Sequence, residues 1–251
     1  MRPNLLILGG TTEASALARV VAGRDIPAVL SYAGRVDRPK PQPIPTRSGG
    51  FGGVAGLRAW LRDNAVTHVV DATHPFAAQM SRNAADACAA EGVPLIALTR
   101  PAWDEQPDDR WQRVADIPAA VDALAGPARR VMLAVGRMHL DAFAAQPQHF
   151  YLLRLVDAPD APPPLPDHVA VISRGPFTQA GDRALMQEHA IDLVVSKNAG
   201  GTGARAKIDA ARALNLPVLM IDRPALPVRP ECATPDQVLD WLAHSGVNLG
   251  V

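Results

Sequence analysis

Asn4-Leu5-Leu6-Ile7-Leu8-Gly9-Gly10-Thr11-Thr12-Glu13 begins with an apolar run of strand length, meets two glycines, and then starts a helix. Ala14, Leu17, Ala18 and Val21 follow on one helical face, so the stretch reads as strand, tight turn, helix. The same alternation continues outward. Pro27–Ser31 is a second strand, and Leu57, Trp60 and Leu61 mark a helix. His68–Val70 is a strand ending at Asp71, Phe76–Ala90 a helix, and Pro94–Leu98 a strand. Strands separated by helices imply right-handed crossovers and mostly parallel sheets.

The second half repeats the plan. Strands are expected at Arg129–Val135, Phe150–Val156, Val169–Ser173, Asp192–Val195 and Pro217–Ile221. A short helix is expected from His139, and longer ones over Gln179–His189, Ala204–Leu214 and Pro235–His244. The repetition is also visible in the letters: Pro94-Leu-Ile-Ala-Leu-Thr-Arg-Pro-Ala102 matches Pro217-Val-Leu-Met-Ile-Asp-Arg-Pro-Ala225. Leu5–Gly10 matches Val131–Gly136, and His68–Ala72 matches Leu193–Lys197, at shifts of 123 to 126 residues. One displacement of about half the chain relates all three, which is the mark of a duplicated unit. The division expected from sequence is an N-terminal domain over 1–102, a linker over Trp103–Arg113, and a C-terminal domain over 114–251.

Composition narrows the function. The chain has 251 residues, 48% hydrophobic and 20% charged, which excludes a disordered protein. Lys+Arg and Asp+Glu both count 25, so nothing favours sequence-independent nucleic-acid binding, which rests on phosphate neutralisation. Cys88 and Cys232 are too few for a disulfide framework and have no metal-ligand spacing. No apolar run approaches the ~20 residues of a membrane helix, and no export signal is evident, so a cytoplasmic protein is expected. Only Lys40, Lys197 and Lys207 are lysines, which makes each of them more informative than any arginine.

In open parallel sheets ligands bind at the carboxyl ends of the strands, where helix N-termini offer N–H groups and a positive dipole end. Gly9, Gly10, Thr11 and Thr12 occupy the place of a dinucleotide phosphate turn, although they do not spell G-x-G-x-x-G; a plain capped turn would read the same. Arg35 follows the second strand, where an arginine suits the 2′-phosphate of NADP. Thr73 and His74 lie past the third strand, and His74 is a candidate proton donor. Ser196, Lys197, Asn198, Gly200, Gly201 and Thr202 form the matching loop of the second half, suited to a carboxylate or phosphate. Arg100, Arg137, Arg174 and Arg223 also fall just past strand exits, a guanidinium rim fit for a polycarboxylate. No P-loop, no G-x-S-x-G elbow and no H-E-x-x-H metal motif is present.

Taken in order, Leu8-Gly-Gly-Thr-Thr-Glu13, Ala33-Gly-Arg35, Asp71-Ala-Thr-His-Pro-Phe-Ala77, Arg174-Gly-Pro-Phe177, Ser196-Lys-Asn-Ala-Gly-Gly201 and Asp222-Arg-Pro224 resemble the precorrin-6A reductase family of cobalamin biosynthesis. The resemblance spans nearly the whole chain. It implies two Rossmann-like α/β domains with a cleft between them and a strand exchanged between the domains. It implies NADPH, with Gly9, Gly10, Thr11, Thr12, Arg35, Gly49, Gly50, Thr73 and His74 on the cofactor side. It implies an anionic tetrapyrrole, precorrin-6A, reduced at one double bond to precorrin-6B. Arg100, Arg137, Arg174, Arg223 and the Ser196–Thr202 loop are then the substrate candidates, and His74 and Lys197 the catalytic ones. Hand-over of the product to neighbouring enzymes of the pathway is a corollary. A cobalt-bearing substrate, or a non-catalytic two-lobed polyanion binder, are the competing readings.

Overall fold

The apolar runs of the sequence become buried parallel strands. In the computed structural model, residues 2–34, 40–157, 161–173, 175 and 177–245 are described. The first half holds β1 (Leu5–Leu8), α1 (Thr12–Gly23), β2 (Ala28–Tyr32), β3 (Thr46–Ser48), α2 (Gly53–Asp63), β4 (His68–Asp71), α3 (Ala78–Glu91) and β5 (Leu95–Leu98). Next come β6 (Trp111–Val114), α4 (Ile117–Asp122), β7 (Arg130–Ala134) and a 3-10 helix over Arg137–Ala145. The rest is β8 (Phe150–Leu155), β9 (His168–Ile172), α5 (Gln179–Glu188), β10 (Leu193–Lys197), α6 (Ala206–Ala213), β11 (Val218–Ile221), β12 (Glu231–Cys232) and α7 (Pro235–His244).

Two six-stranded sheets result, in the orders β12-β5-β4-β1-β2-β3 and β6-β11-β10-β7-β8-β9. Every strand pair is parallel. The orders coincide when β1 is matched with β7, β2 with β8, β3 with β9, β4 with β10, β5 with β11 and β12 with β6. The duplication read from the letters is therefore present in the topology. Leu5 and Ile7 of β1 face one apolar cluster with α1 and α7, while Leu6 and Leu8 face another with α2 and α3. A strand buried on both faces has to read as a continuous apolar run, as β1 does.

The helices of the two halves also stop alike. Asp25, Ala65, Ala190 and Asn215, each just past a helix, take left-handed φ values of 47° to 53°. The next apolar residue then closes back: Ile26 N–H donates to Val21 O, Val66 to Leu61 O, Ile191 to Met186 O and Leu216 to Ala211 O. This is the Schellman stop, which satisfies carbonyls the helix cannot and buries the following side chain.

The division of the chain differs from the sequence expectation. One unit comprises the chain up to Pro101 together with the chain from Ala225 onward; the other is Ala102–Pro224. The expected linker over 103–113 carries most of β6, which pairs with β11, and β12 and α7 belong to the first unit rather than to a C-terminal domain. The strand following each copy of the repeat adds to the sheet that the other copy helps to build. Two chain crossings, each just after Arg-Pro, replace the single expected linker. No described helix is long and apolar enough to cross a membrane.

Candidate functional site

In the first sheet the chain runs from β1 to β2 on one side and returns at β4 on the other, so a crevice opens between β1 and β4 at their carboxyl ends. Such a switch point is where open α/β sheets bind ligands. A cavity of about 410 Å³ lies there, lined by Leu8, Gly9 and Gly10, by Ser31–Gly34, by Gly49–Gly53, by Thr73 and His74, and by Ala77, Gln79, Met80 and Asn83 of the following turn and α3. The walls are largely apolar with a few polar groups, the usual make-up of a small-molecule site.

The turn at the head of α1 demands glycine. A Cβ on Gly9 would lie 2.6 Å from Leu30 Cδ1, and Gly10 has φ +116°. Thr11 is the N-cap of α1: its hydroxyl accepts from Ala14 N–H at 3.1 Å and donates to Ala72 O at 2.8 Å. Its work is to end β1 and start α1, leaving the helix N-terminus aimed past Gly10. Thr12 donates to Glu13 Oε2, and Glu13 pairs with Arg100 at 2.8 Å. Burial pushes the Glu13 carboxyl up, but its own backbone N–H and Arg100 together outweigh this and hold it below its ordinary value. Arg100 is thus tied to the α1 start, and Thr11 and Thr12 border the cavity without lining it.

Past β4, the carboxylate of Asp71 organises the loop. Its Oδ1 accepts Thr73 N–H at 3.1 Å and Thr73 Oγ1–H at 2.7 Å. Its Oδ2 accepts Arg229 at 2.5 Å, with only 1% and 9% of the two side chains exposed. Arg229 sits just before β12, so the returning C-terminal segment braces the loop that carries His74. His74 Nδ1 accepts Phe76 N–H at 3.2 Å. A nitrogen that accepts carries no proton, so the neutral ring holds its hydrogen on Nε2. Arg47 of β3 braces the opposite wall: it donates to Ser31 Oγ at 2.8 Å and to the carbonyls of Gly49 and Gly50 at 3.1 Å, and stacks 3.9 Å over the Phe51 ring.

Of the sequence candidates, Gly9, Gly10, Gly49, Gly50, Thr73 and His74 meet at one cavity. Arg35 and Arg174 lie outside the described residues. Sequence reasoning missed Ser31 and Tyr32 at the end of β2, Asn83 on α3, and the braces Arg47, Asp71 and Arg229. The i,i+4 pair Gln79–Asn83, with its 2.8 Å side-chain hydrogen bond, was a readable sign of a polar helix face.

In the second unit the loop after β10 is tied to the chain around it by several side chains. Asn198 is 2% exposed; its Oδ1 accepts Trp103 N–H at 2.8 Å and its Nδ2 donates to Trp103 O at 2.9 Å. Trp103 Nε1 donates to Gly201 O at 2.6 Å. Arg223 donates to the carbonyls of Asn198 and Ala199 at 3.0 and 3.1 Å. Asn198 and Arg223 therefore hold the chain together here, while Lys197, at the end of β10, is half-buried and Thr202 exposed. Ser196 is buried and donates to Lys197 O at 3.2 Å. Arg137 opens the 3-10 helix on the surface.

The first unit thus presents, at one crevice, a glycine turn packed tightly on Leu30, the N-terminus of α1 behind it, and a polar loop across from it, features that suit a phosphate-bearing ligand. Strand order and topology define a Rossmann-like α/β protein with a cavity at the carboxyl edge of its first sheet. The chain belongs to the family of the precorrin-6x reductase CbiJ/CobK, which matches residues 4–243. A Rhodobacter capsulatus protein named precorrin-6A reductase is 59% identical over 242 residues, 96% of each chain. One from Rhodococcus erythropolis with the same name is 47% identical over 245 residues, 96% of this chain and 97% of that one. A solved structure of CobK precorrin-6A reductase superposes with a TM-score of 0.93 at 58% identity, covering 98% of both chains.

Proposed function

We propose that this chain reduces one double bond of precorrin-6A to give precorrin-6B, with NADPH as the reductant, in cobalamin biosynthesis. The observation that carries the proposal is the family match along the whole chain, joined to a glycine-built crevice at the switch point of the first sheet. When bound, NADPH supplies a hydride to one carbon of the double bond and leaves as NADP⁺; the neighbouring atom takes a proton, so the substrate gains two hydrogens in all. Gly9, Gly10, Gly49 and Gly50 let the backbone approach the dinucleotide, and Arg35 reads its 2′-phosphate.

His74 is assigned an orienting role. Its Nδ1 accepts Phe76 N–H, so the neutral ring presents its N–H at Nε2 toward the cavity it lines. Lys197 is assigned the role of proton donor to the substrate. Arg137, Arg174 and Arg100 meet the acetate and propionate fringe of the tetrapyrrole, Arg100 while paired with Glu13. Asn198 and Arg223 act indirectly, by fixing the loop that carries Lys197. The test is cofactor choice. Arg35→Ala is expected to weaken NADPH binding about tenfold or more while leaving NADH nearly unchanged. Equal loss for both cofactors contradicts that role, and no binding of either by the unaltered protein contradicts the dinucleotide reading.

A further inference from the structure

The two units correspond residue by residue, and at one place their contents differ in kind. Leu5 pairs with Ala28 and its counterpart Val131 with Tyr151, so Ser31 of β2 stands where Arg154 stands on β8. The helix stops align Leu61 with Met186 and Cys88 with Ala211. Four residues earlier, Leu57 matches Asp182 and Ala84 matches Lys207. The first unit fills this place with a serine and two apolar side chains, all buried. The second fills it with charge: the Arg154 and Asp182 side chains are 8% and 5% exposed, and Lys207 is 4% exposed. Buried charges carry a desolvation cost that apolar side chains avoid, so the fold by itself does not call for them.

What the charges hold is a ring. Arg154 pairs with Asp182 Oδ1, and its guanidinium lies 3.7 Å from the centroid of the Phe177 ring. Lys207 adds a second cation toward Asp182, while its Nζ donates to Ala204 O at 2.7 Å. Phe177 directly precedes Thr178, the N-cap of α5. A Cβ on Gly175 would lie 3.4 Å from Phe177 Cε2, so the chain entering α5 packs on that ring. The first unit has the same device. Phe51 directly precedes Gly52, the N-cap of α2, and the Arg47 guanidinium lies 3.9 Å from its ring while donating to Ser31 Oγ. In both units a guanidinium at the exit of the second strand seats the phenyl ring ahead of the next helix. In the first unit the residues held this way, Gly49 to Phe51, line the ligand cavity.

We infer that Arg154, seated on Asp182 and Lys207, is a positioning residue: through Phe177 it fixes the turn that leads from β9 into α5. The inference rests on the substrate role proposed above for Arg174, which belongs to that turn in sequence. A planar guanidinium gives the ring a flat seat, and the buried ion pair keeps the guanidinium from turning toward water. Arg154 acts through Phe177 and needs no contact with the substrate.

The test uses the full chain and two conservative changes. Arg154→Lys keeps a charge for Asp182 but removes the planar face; Phe177→Leu keeps an apolar side chain but removes the ring. Each is expected to raise the KM for precorrin-6A about fivefold, with kcat and the KM for NADPH unaltered. Each is also expected to quicken hydrogen exchange at the Gly175 and Phe177 amides by about the same factor. Both changes break one contact, so the double variant is expected to show no larger effect than either alone. An unaltered KM in both single variants overturns the inference even where exchange quickens, because the seat would then serve folding only. A double variant in which the two effects multiply also overturns it. If the unaltered protein fails to reduce precorrin-6A, the reductase reading falls separately; faster exchange in both variants then supports the seat, and unchanged exchange overturns it.

Discussion

Asp71 shows how much one side chain can hold. Its carboxylate is buried, bonds Thr73 twice through one oxygen, and meets Arg229 through the other. Removing one partner of a buried ion pair leaves the other charge uncompensated. Asp71→Asn is therefore expected to lower unfolding free energy by about 3 to 5 kcal/mol, read by urea denaturation. Arg229→Met in the same background is expected to restore part of it, since two neutral groups leave no buried charge. A loss under about 1 kcal/mol for the single variant would show that water or another group reaches Arg229. None of this was legible in the sequence, because the partners are 158 positions apart and nothing local pairs them. The glycines at positions 9 and 10 were legible, because backbone geometry at a strand-to-helix turn restricts the residue type directly.

At the scale of elements, what periodicity could see and what it could not divide cleanly. β1, β4, β10 and β11 are buried on both faces and read as apolar runs; α1, α2 and α7 present amphipathic spacing. The strands it missed, β3, β6 and β12, are sheet-edge strands of three, four and two residues with exposed positions, too short and too polar for a period to register. The helix expected from Phe76 begins at Ala78, since Pro75 and the bond from Ala77 N–H to His74 O make a turn first. The helix stops carry a prediction of their own. Ala65 and Ala190 occupy matching left-handed sites, each with φ +47°, where a Cβ is unfavourable. Ala65→Gly and Ala190→Gly are each expected to stabilise the protein by about 0.5 to 1 kcal/mol, seen as a raised melting temperature. A lowered melting temperature for both would mean that unfolded-state entropy outweighs the relief of backbone strain.

For the whole molecule, the repeat in the letters revealed two alike sheets, but not which end of the chain completes each. That information lies in strand pairing: β12 adds beside β5, and β6 beside β11. A fragment of residues 102–224 holds every strand of the second sheet and is expected to unfold cooperatively by itself. A fragment of residues 1–102 lacks β12 and α7, whose Val238, Leu239 and Leu242 fill the core against α1, and is expected to show weak, non-cooperative melting. Equal cooperativity for both fragments would argue for the simple two-domain division instead.

The central claim is chemical, and its most direct test is turnover. The unaltered protein is mixed with metal-free precorrin-6A and NADPH, and both cofactor absorbance and product mass are followed. The account predicts NADPH oxidised mole for mole with a product heavier by a hydride and a proton, and little reaction with NADH. Tight NADPH binding without conversion, under conditions where cobalt-precorrin-6A is reduced, would contradict the assigned substrate; no NADPH binding and no conversion of either would contradict the reductase itself.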